Sequence, residues 1–258
     1  MRIEINVALD YAFPDARTVA LVIEAARSDG QTVVSDHITI QNLARISRVP
    51  GDSDEGTRII AHTSAPRLTV SYMATVDVMR PVVDLPSLRA DALIDMPGGV
   101  LPYLRASRYV QPEMFGGFVA NTFGGLQGGA LVLAVRDFVM GAMHYVPGAS
   151  NGNTTALETF AAREGVCRDY AHLTCALVRA AGIPARCVAV YGPAVSPQDF
   201  HAVAEVWLSG AWHLVDSTGM CEADGLVKIA VGRDAADIAF LDAGRDVELV
   251  NQSVIAWV

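Results

Sequence analysis

The sequence predicts an α+β protein, with an antiparallel β domain over residues 1–95 and an α+β core over 96–258. Three observations carry that division. Up to about residue 90 apolar and polar residues alternate with period two, in β-branched runs separated by turn residues. Pro81, Pro86, Pro97 and Gly98-Gly99 then punctuate the chain as a linker does. Beyond them the period changes to helical and afterwards returns to strands, an order typical of α+β folds.

In the first region Ile3, Ile5 and Val7 alternate with charged or polar neighbours, and Thr18–Ala26 and Thr32–Ile40 are β-branched runs. Thr57–His62 and Arg67–Val78 continue the pattern. Ser28-Asp29-Gly30 and Gly51-Asp52-Ser53 supply turns, and the spacing suits a small antiparallel sandwich or sheet. His37 and His62 lie in these strands without a partner motif and read as structural. Gly116-Gly117 and Gly124-Gly125 bracket Phe118 and Phe123 in what reads as a loop, with no phosphate-cradling pattern. Leu131, Val135, Phe138 and Ala142 have helical spacing. Thr155 with Glu158 forms a capping box that opens a short helix, and Gly165 suits the left-handed position that closes it. Cys167–Ala181 is a nearly all-round apolar helix stopped by Gly182 and Pro184. Arg186–Tyr191, His201–Leu208, Ala211–Val215 and Val247–Trp257 are the strands that follow.

Composition narrows the function classes. The 258 residues are 52% hydrophobic and 18% charged, which describes a packed chain rather than a disordered one. A net charge of -9 argues against nucleic acid or an anionic membrane as partner. No apolar run reaches the roughly 18 residues that a membrane helix needs, and the start lacks a signal-peptide core, so the expected location is cytoplasmic. Cys167, Cys175, Cys187 and Cys221 contain no C-x-x-C pair and read as free thiols, with Cys175 a buried apolar residue. Cys167, His172 and Cys175 do not converge on one helix face, so no metal site is expected.

The chemistry-bearing stretch is Glu164-Gly165-Val166-Cys167-Arg168-Asp169-Tyr170-Ala171-His172. A thiol in the first helical turn faces unpaired N–H groups and the positive end of the helix dipole, which favours the nucleophilic thiolate. A thiolate needs a base and a group that orients the base. With a two-residue hairpin loop at Ser209-Gly210, Leu208 faces Ala211, Trp207 faces Trp212, Glu205 faces Leu214 and Val203 faces Asp216. His201 and Asp216 are then diagonal neighbours on one sheet face, ~7–8 Å apart at the backbone. His213 falls on the other face. His172, about 140° round the helix from Cys167, reads as a packing residue, and Asp169 as a dipole-favoured residue of the first turn.

Gly165-Val166-Cys167-Arg168-Asp169-Tyr170-Ala171-His172, Gly182-Ile183-Pro184-Ala185-Arg186, His201-Ala202 with Glu205-Val206, Trp212 and Asp216-Ser217-Thr218 resemble the transglutaminase-like superfamily. The resemblance covers about residues 100–220. Its bacterial members often carry an N-terminal β domain. It implies a papain-like core with Cys167 as nucleophile, His201 as base and then acid, and Asp216 as orienter, without a cofactor. Val203 stands where the family usually has Trp, and Ser217 where a proline is common, which bears on the pocket. The expected activity is hydrolysis of an amide bond in a protein or peptide (protease, amidase or deamidase) through a Cys167 thioester. The alternatives are transamidation onto an amine and a non-catalytic binding protein that keeps the fold. Tyr103 and Tyr109 are the candidate second donors to the oxyanion.

Overall fold

The computed structural model describes residues 1–258. Its strands are β1 (Arg2–Ala12), β2 (Thr18–Leu21), β3 (Gln31–Gln41), β4 (Leu43–Pro50), β5 (Thr57–Thr63) and β6 (Arg67–Val78). There follow α1 (Gly116–Phe123), α2 (Gly128–Ala142), β7 (His144–Tyr145), α3 (Ala156–Ala162), β8 (Glu164–Gly165) and α4 (Cys167–Ala180). The chain closes with β9 (Ala185–Tyr191), β10 (His201–Leu208), β11 (Ala211–Val215), β12 (Val227–Gly232), β13 (Leu241–Asp242) and β14 (Glu248–Trp257). The architecture is the α+β arrangement that the sequence predicts.

Period two builds the N-terminal region. On β1 the side chains of Ile3, Ile5, Val7 and Leu9 are buried, and on β6 those of Leu68, Val70, Tyr72, Ala74, Val76 and Val78. The β1–β6 register aligns Ile5 with Ala74 and Val7 with Tyr72, so both apolar rows share one face. The strands fall into two four-stranded sheets, ordered β14-β1-β6-β3 and β13-β2-β5-β4.

The end of the chain departs from the division at residue 95. β14 forms as a strand, but its partner is β1, with Ile5 opposite Ala256 and Val7 opposite Val254, and β13 pairs with β2. The physical reason is burial: Val254 and Ala256 complete the apolar face begun by Ile5 and Val7. The segment 241–257 therefore belongs by pairing to the N-terminal sheets rather than to the core.

The core centres on α4, in which Asp169–Arg179 are all buried. Full burial of Leu173, Leu177 and Val178 contributes about 1.5–3 kcal/mol each. Against it lies the sheet β11-β10-β9-β12, antiparallel throughout. The expected loop around Phe118 and Phe123 is helix α1, because Phe118, Phe123, Phe138 and Phe160 pack as one aromatic cluster that orders it. Gly165 also has a different role from the one expected. Arg163 takes the left-handed conformation (φ 61°) that ends α3, whereas a Cβ on Gly165 would stand 2.6 Å from the Cβ of Asp169.

Main-chain and side-chain bonds join the two regions. Ala26 N–H donates to the Lys228 carbonyl (2.8 Å), Gln31 accepts from Lys228 N–H (2.8 Å), and the Tyr191 hydroxyl donates to the Ile23 carbonyl (2.6 Å). Under this seam lies a buried ionic cluster. Arg186 Nε donates to Glu205 (2.7 Å), Lys228 Nζ to Glu55 (2.6 Å) and to Glu205 (3.2 Å), and Arg186 also pairs with Glu55. The Arg186 guanidinium lies 4.2 Å over the Trp212 ring.

Candidate active site

Cys167 is the first residue of α4 and is partly exposed. Its position is fixed by the turn before it. Asp169, fully buried, reaches back to accept from the Val166 N–H (2.9 Å) and takes a hydrogen bond from the Ser150 hydroxyl. Arg168 donates to Asp169, to the Ser150 hydroxyl and to the Asn151 carbonyl, tying the loop before α3 to the start of α4. Asp169 is thus the helix-start anchor as well as a dipole-favoured residue. Gly165 is what lets its side chain approach so closely.

The hairpin that carries His201 and Asp216 turns at Ser209 (φ 52°) and Gly210 (φ 79°), both left-handed as a tight two-residue connection requires. The register pairs Leu208 with Ala211, Trp207 with Trp212, Glu205 with Leu214 and Ala204 with Val215. Asp216 follows the last pair, and its Oδ2 lies 3.0 Å from His201 Nε2. The carboxylate also accepts from Thr218 N–H (2.8 Å), the Thr218 hydroxyl (2.7 Å) and Cys221 N–H (3.1 Å). Burial alone would raise the Asp216 pKa, but the His201 and Thr218 bonds outweigh it and hold the carboxyl below its usual range. Ser217, in place of the family's common proline, bonds its hydroxyl to that of Thr174 on α4 (2.7 Å). Val203 packs in a small apolar cluster with Val188, Val190, Leu226 and Val231, which accounts for an aliphatic residue there.

Nε2 of His201 being taken by Asp216, the ring's other nitrogen, Nδ1, is buried without a conventional hydrogen bond, and the Cys167 thiol lies against the ring. Burial lowers the His201 pKa, but the Asp216 hydrogen bond and the neighbouring Cys167 sulfur prevail and raise it to about 9. The raised value makes His201 a strong base for the Cys167 proton, since the charge left on the sulfur holds the proton on the ring.

Other sequence candidates sit apart. His213 Nε2 pairs with the Leu208 carbonyl (3.1 Å) within the hairpin. His172 is buried, stacks on Tyr109 at 5.1 Å and accepts from Ala235 N–H (3.0 Å), and burial lowers its pKa to about 4. Cys175 is buried with its sulfur 3.8 Å from that of Cys187. Tyr103 packs edge-on against Trp212, with its hydroxyl 3.0 Å from that of Ser53, and the Tyr109 hydroxyl donates to the Gly152 carbonyl (2.7 Å). Both hydroxyls are thus taken by groups other than Cys167.

The tyrosine at the thiol is Tyr145. The parallel bridge β7–β8 sets Tyr145 opposite Gly165, two residues before Cys167. Its hydroxyl is close enough to Cys167 for the backbone N–H and the sulfur to act on it. Burial first, and then the Cys167 sulfur, push its pKa up to about 12, so it stays a protonated donor. No helical spacing or motif marks it. The only sequence signal is an aromatic residue just before Val146-Pro147, upstream of the cysteine helix.

The sequence profile of the transglutaminase-like superfamily matches residues 120–217, the stretch that contains Cys167, His201 and Asp216. A crystal structure from Cytophaga hutchinsonii, described as a "putative cysteine protease", superposes with a TM-score of 0.94 at 32% identity, over 100% of this chain and 90% of that one. An uncharacterized protein of Mycobacterium leprae, ML0607, is 30% identical over 117 residues, a match that spans 42% of this chain and 42% of that protein. With the helix-borne thiol, the hairpin and the profile coinciding in one stretch, the chain belongs to the transglutaminase-like superfamily.

Proposed function

We propose that the chain is a thiol-dependent amide hydrolase acting on a protein or peptide through a thioester at Cys167. The observation that carries the reading is the His201 ring, held by Asp216 through Nε2 and set against the Cys167 thiol.

In this mechanism the Cys167 sulfur, its proton transferred to His201, attacks the amide carbon. The carbonyl oxygen takes the negative charge, which the Cys167 N–H and the neighbouring Tyr145 hydroxyl would meet as donors. The imidazolium returns its proton to the leaving nitrogen, the C–N bond breaks, and an amine departs. His201 then takes a proton from water, whose oxygen attacks the thioester carbon. The C–S bond breaks, the carboxylic acid leaves and the thiol is restored. Asp216 keeps the Nε2 proton on its own side throughout, so the nitrogen facing sulfur stays free to accept. Hydrolysis ranks ahead of transamidation because water needs no binding site of its own.

The test is cleavage of a peptide library by the full chain and by Cys167→Ala. Cleavage by the parent and none by the variant, at unchanged circular dichroism, is the expected result. Equal cleavage by both would remove Cys167 from the reaction. Products dominated by amine adducts when an alkylamine is supplied would replace hydrolysis by transamidation.

A further inference from the structure

We infer that Ser217 and Thr174 are positioning residues: the hydrogen bond between their hydroxyls sets where the helix that carries Cys167 stands against the hairpin that carries His201 and Asp216. The inference rests on the amide-cleaving reading above and adds two residues that act through the triad.

The reacting groups come from separate elements. Cys167 opens α4, whereas His201 opens β10 and Asp216 follows the end of β11. The His201–Asp216 bond ties those two side chains to each other. The gap from the imidazole to the sulfur is left to how α4 lies on the sheet. Thr174 and Ser217 meet across that interface, with their hydroxyl oxygens 2.7 Å apart and both side chains buried. Thr174 is seven residues after Cys167, close to two helical turns, so it stands on the same stripe of α4, ~10 Å further along. Ser217 is the residue next to Asp216. The Thr174 hydroxyl donates to the Tyr170 carbonyl one turn back (2.8 Å), so its proton is committed and Ser217 is the donor to Thr174 Oγ1. On the other side of Asp216, Thr218 gives its N–H (2.8 Å) and its hydroxyl (2.7 Å) to Oδ1, and Met220 N–H donates to that hydroxyl (3.2 Å). Thr218 thus holds the carboxylate, and Ser217 holds the helix.

Apolar packing of α4 on the sheet buries area but tolerates sliding, whereas a short hydrogen bond between buried hydroxyls is directional. A displacement of about 1 Å between reacting groups can cost on the order of 10²-fold in rate. A proline at position 217, common in the family, has no hydroxyl to offer. The link between the two elements is therefore a property of this chain's own sequence.

The experiment uses the full chain with Ser217→Ala, Thr174→Val, both together, and Thr174→Ser, each checked by circular dichroism and thermal unfolding. Two rates are read. One is cleavage of an amide peptide, resolved into kcat and KM. The other is alkylation of Cys167 by iodoacetamide at pH 7, followed by mass spectrometry of its peptide. Each single variant should lower kcat by about 10- to 100-fold with KM within about twofold, and should slow the alkylation. Thr174→Ser, which keeps the hydroxyl, should stay within about threefold of the parent. The double variant separates positioning from stability. It leaves no hydroxyl of the pair buried without its partner, so its unfolding midpoint should lie at or above those of the single variants. Its kcat should nevertheless stay as low as theirs, without multiplying the two losses. Recovery of kcat in the double variant would overturn the inference. So would single variants with the parent's kcat, or a loss in Thr174→Ser as large as in Thr174→Val. Slowed alkylation in the single variants of a chain that cleaves no amide would sink the hydrolase reading and leave this one standing. Amide cleavage with kcat unchanged in both single variants would do the reverse.

Discussion

His201 and Glu205 lie four residues apart on the same strand, project to the same face, and are equally buried, yet their surroundings differ in kind. Glu205 is enclosed by Arg186 and Lys228, and Glu55 from the N-terminal region completes the charge balance. Every ionic group there is answered by another. His201 is answered on one nitrogen only, by Asp216, while the other faces a thiol at the surface of the protein. The ionic cluster holds the two regions together by being satisfied. The site is chemically competent because one of its groups is not.

Removing the orienting partner should give the largest effect. Asp216→Asn should lower the rate of amide cleavage by roughly four orders of magnitude while the fold, read by circular dichroism, is kept, since the wrong imidazole tautomer would then be held. A loss of less than tenfold would mean that Asp216 does not orient His201. Glu205→Gln should have the opposite profile. It leaves Arg186 and Lys228 short of a buried anion and should destabilise the fold by about 3–5 kcal/mol, read as a shift in the denaturation midpoint. If it proved neutral, the cluster would be a passive feature of the seam. Tyr145→Phe should lower the rate by about 10²-fold with little change in KM, because it removes a donor to the oxyanion and no ground-state contact.

A smaller effect separates the two regions by pH. The His201 pKa is raised above its ordinary value to about 9, so the stability it contributes is full below pH ~6.5 and is lost as pH rises through about 9. The Asp216 pKa is lowered, so its contribution is present above the usual carboxylate range and lost on acidification. The carboxylate of Glu55, which burial would raise but Arg186 and Lys228 lower, also weakens only in acid. Alkaline loss of stability should therefore vanish in His201→Asn and persist in Glu205→Gln. Persistence of that loss in His201→Asn would assign it elsewhere.

The hairpin was legible from sequence because its register depends on one local choice. Ser209-Gly210 allows a two-residue turn, and parity then places His201 and Asp216 on one face. The helix start was legible for a similar reason: glycine, cysteine and an apolar run are contiguous. Gly165 was assigned the wrong duty, since a glycine needed for a left-handed turn and one needed for the approach of Asp169 look alike in sequence. Tyr145 was not legible, because its place depends on a parallel bridge to Gly165 rather than on any periodicity. The ionic cluster was equally hidden. Glu55 meets Arg186 and Lys228 only after the two regions dock.

The pairing of β14 with β1 also sets an order of events during synthesis. β1 is made before every element of the core, yet its neighbour on one side is made only after β12, and so after the core. Until then β1 can pair with β6, but its far edge offers unpaired N–H and C=O groups to any passing strand. The core, by contrast, has all its strands and helices by residue 232 and can close by shorter-range contacts while β14 is still unmade. The nascent chain is thus most exposed to misassembly at the free edge of β1. Holding that edge free until β14 is made is the kinetic consequence of pairing β1 with a strand that follows the core.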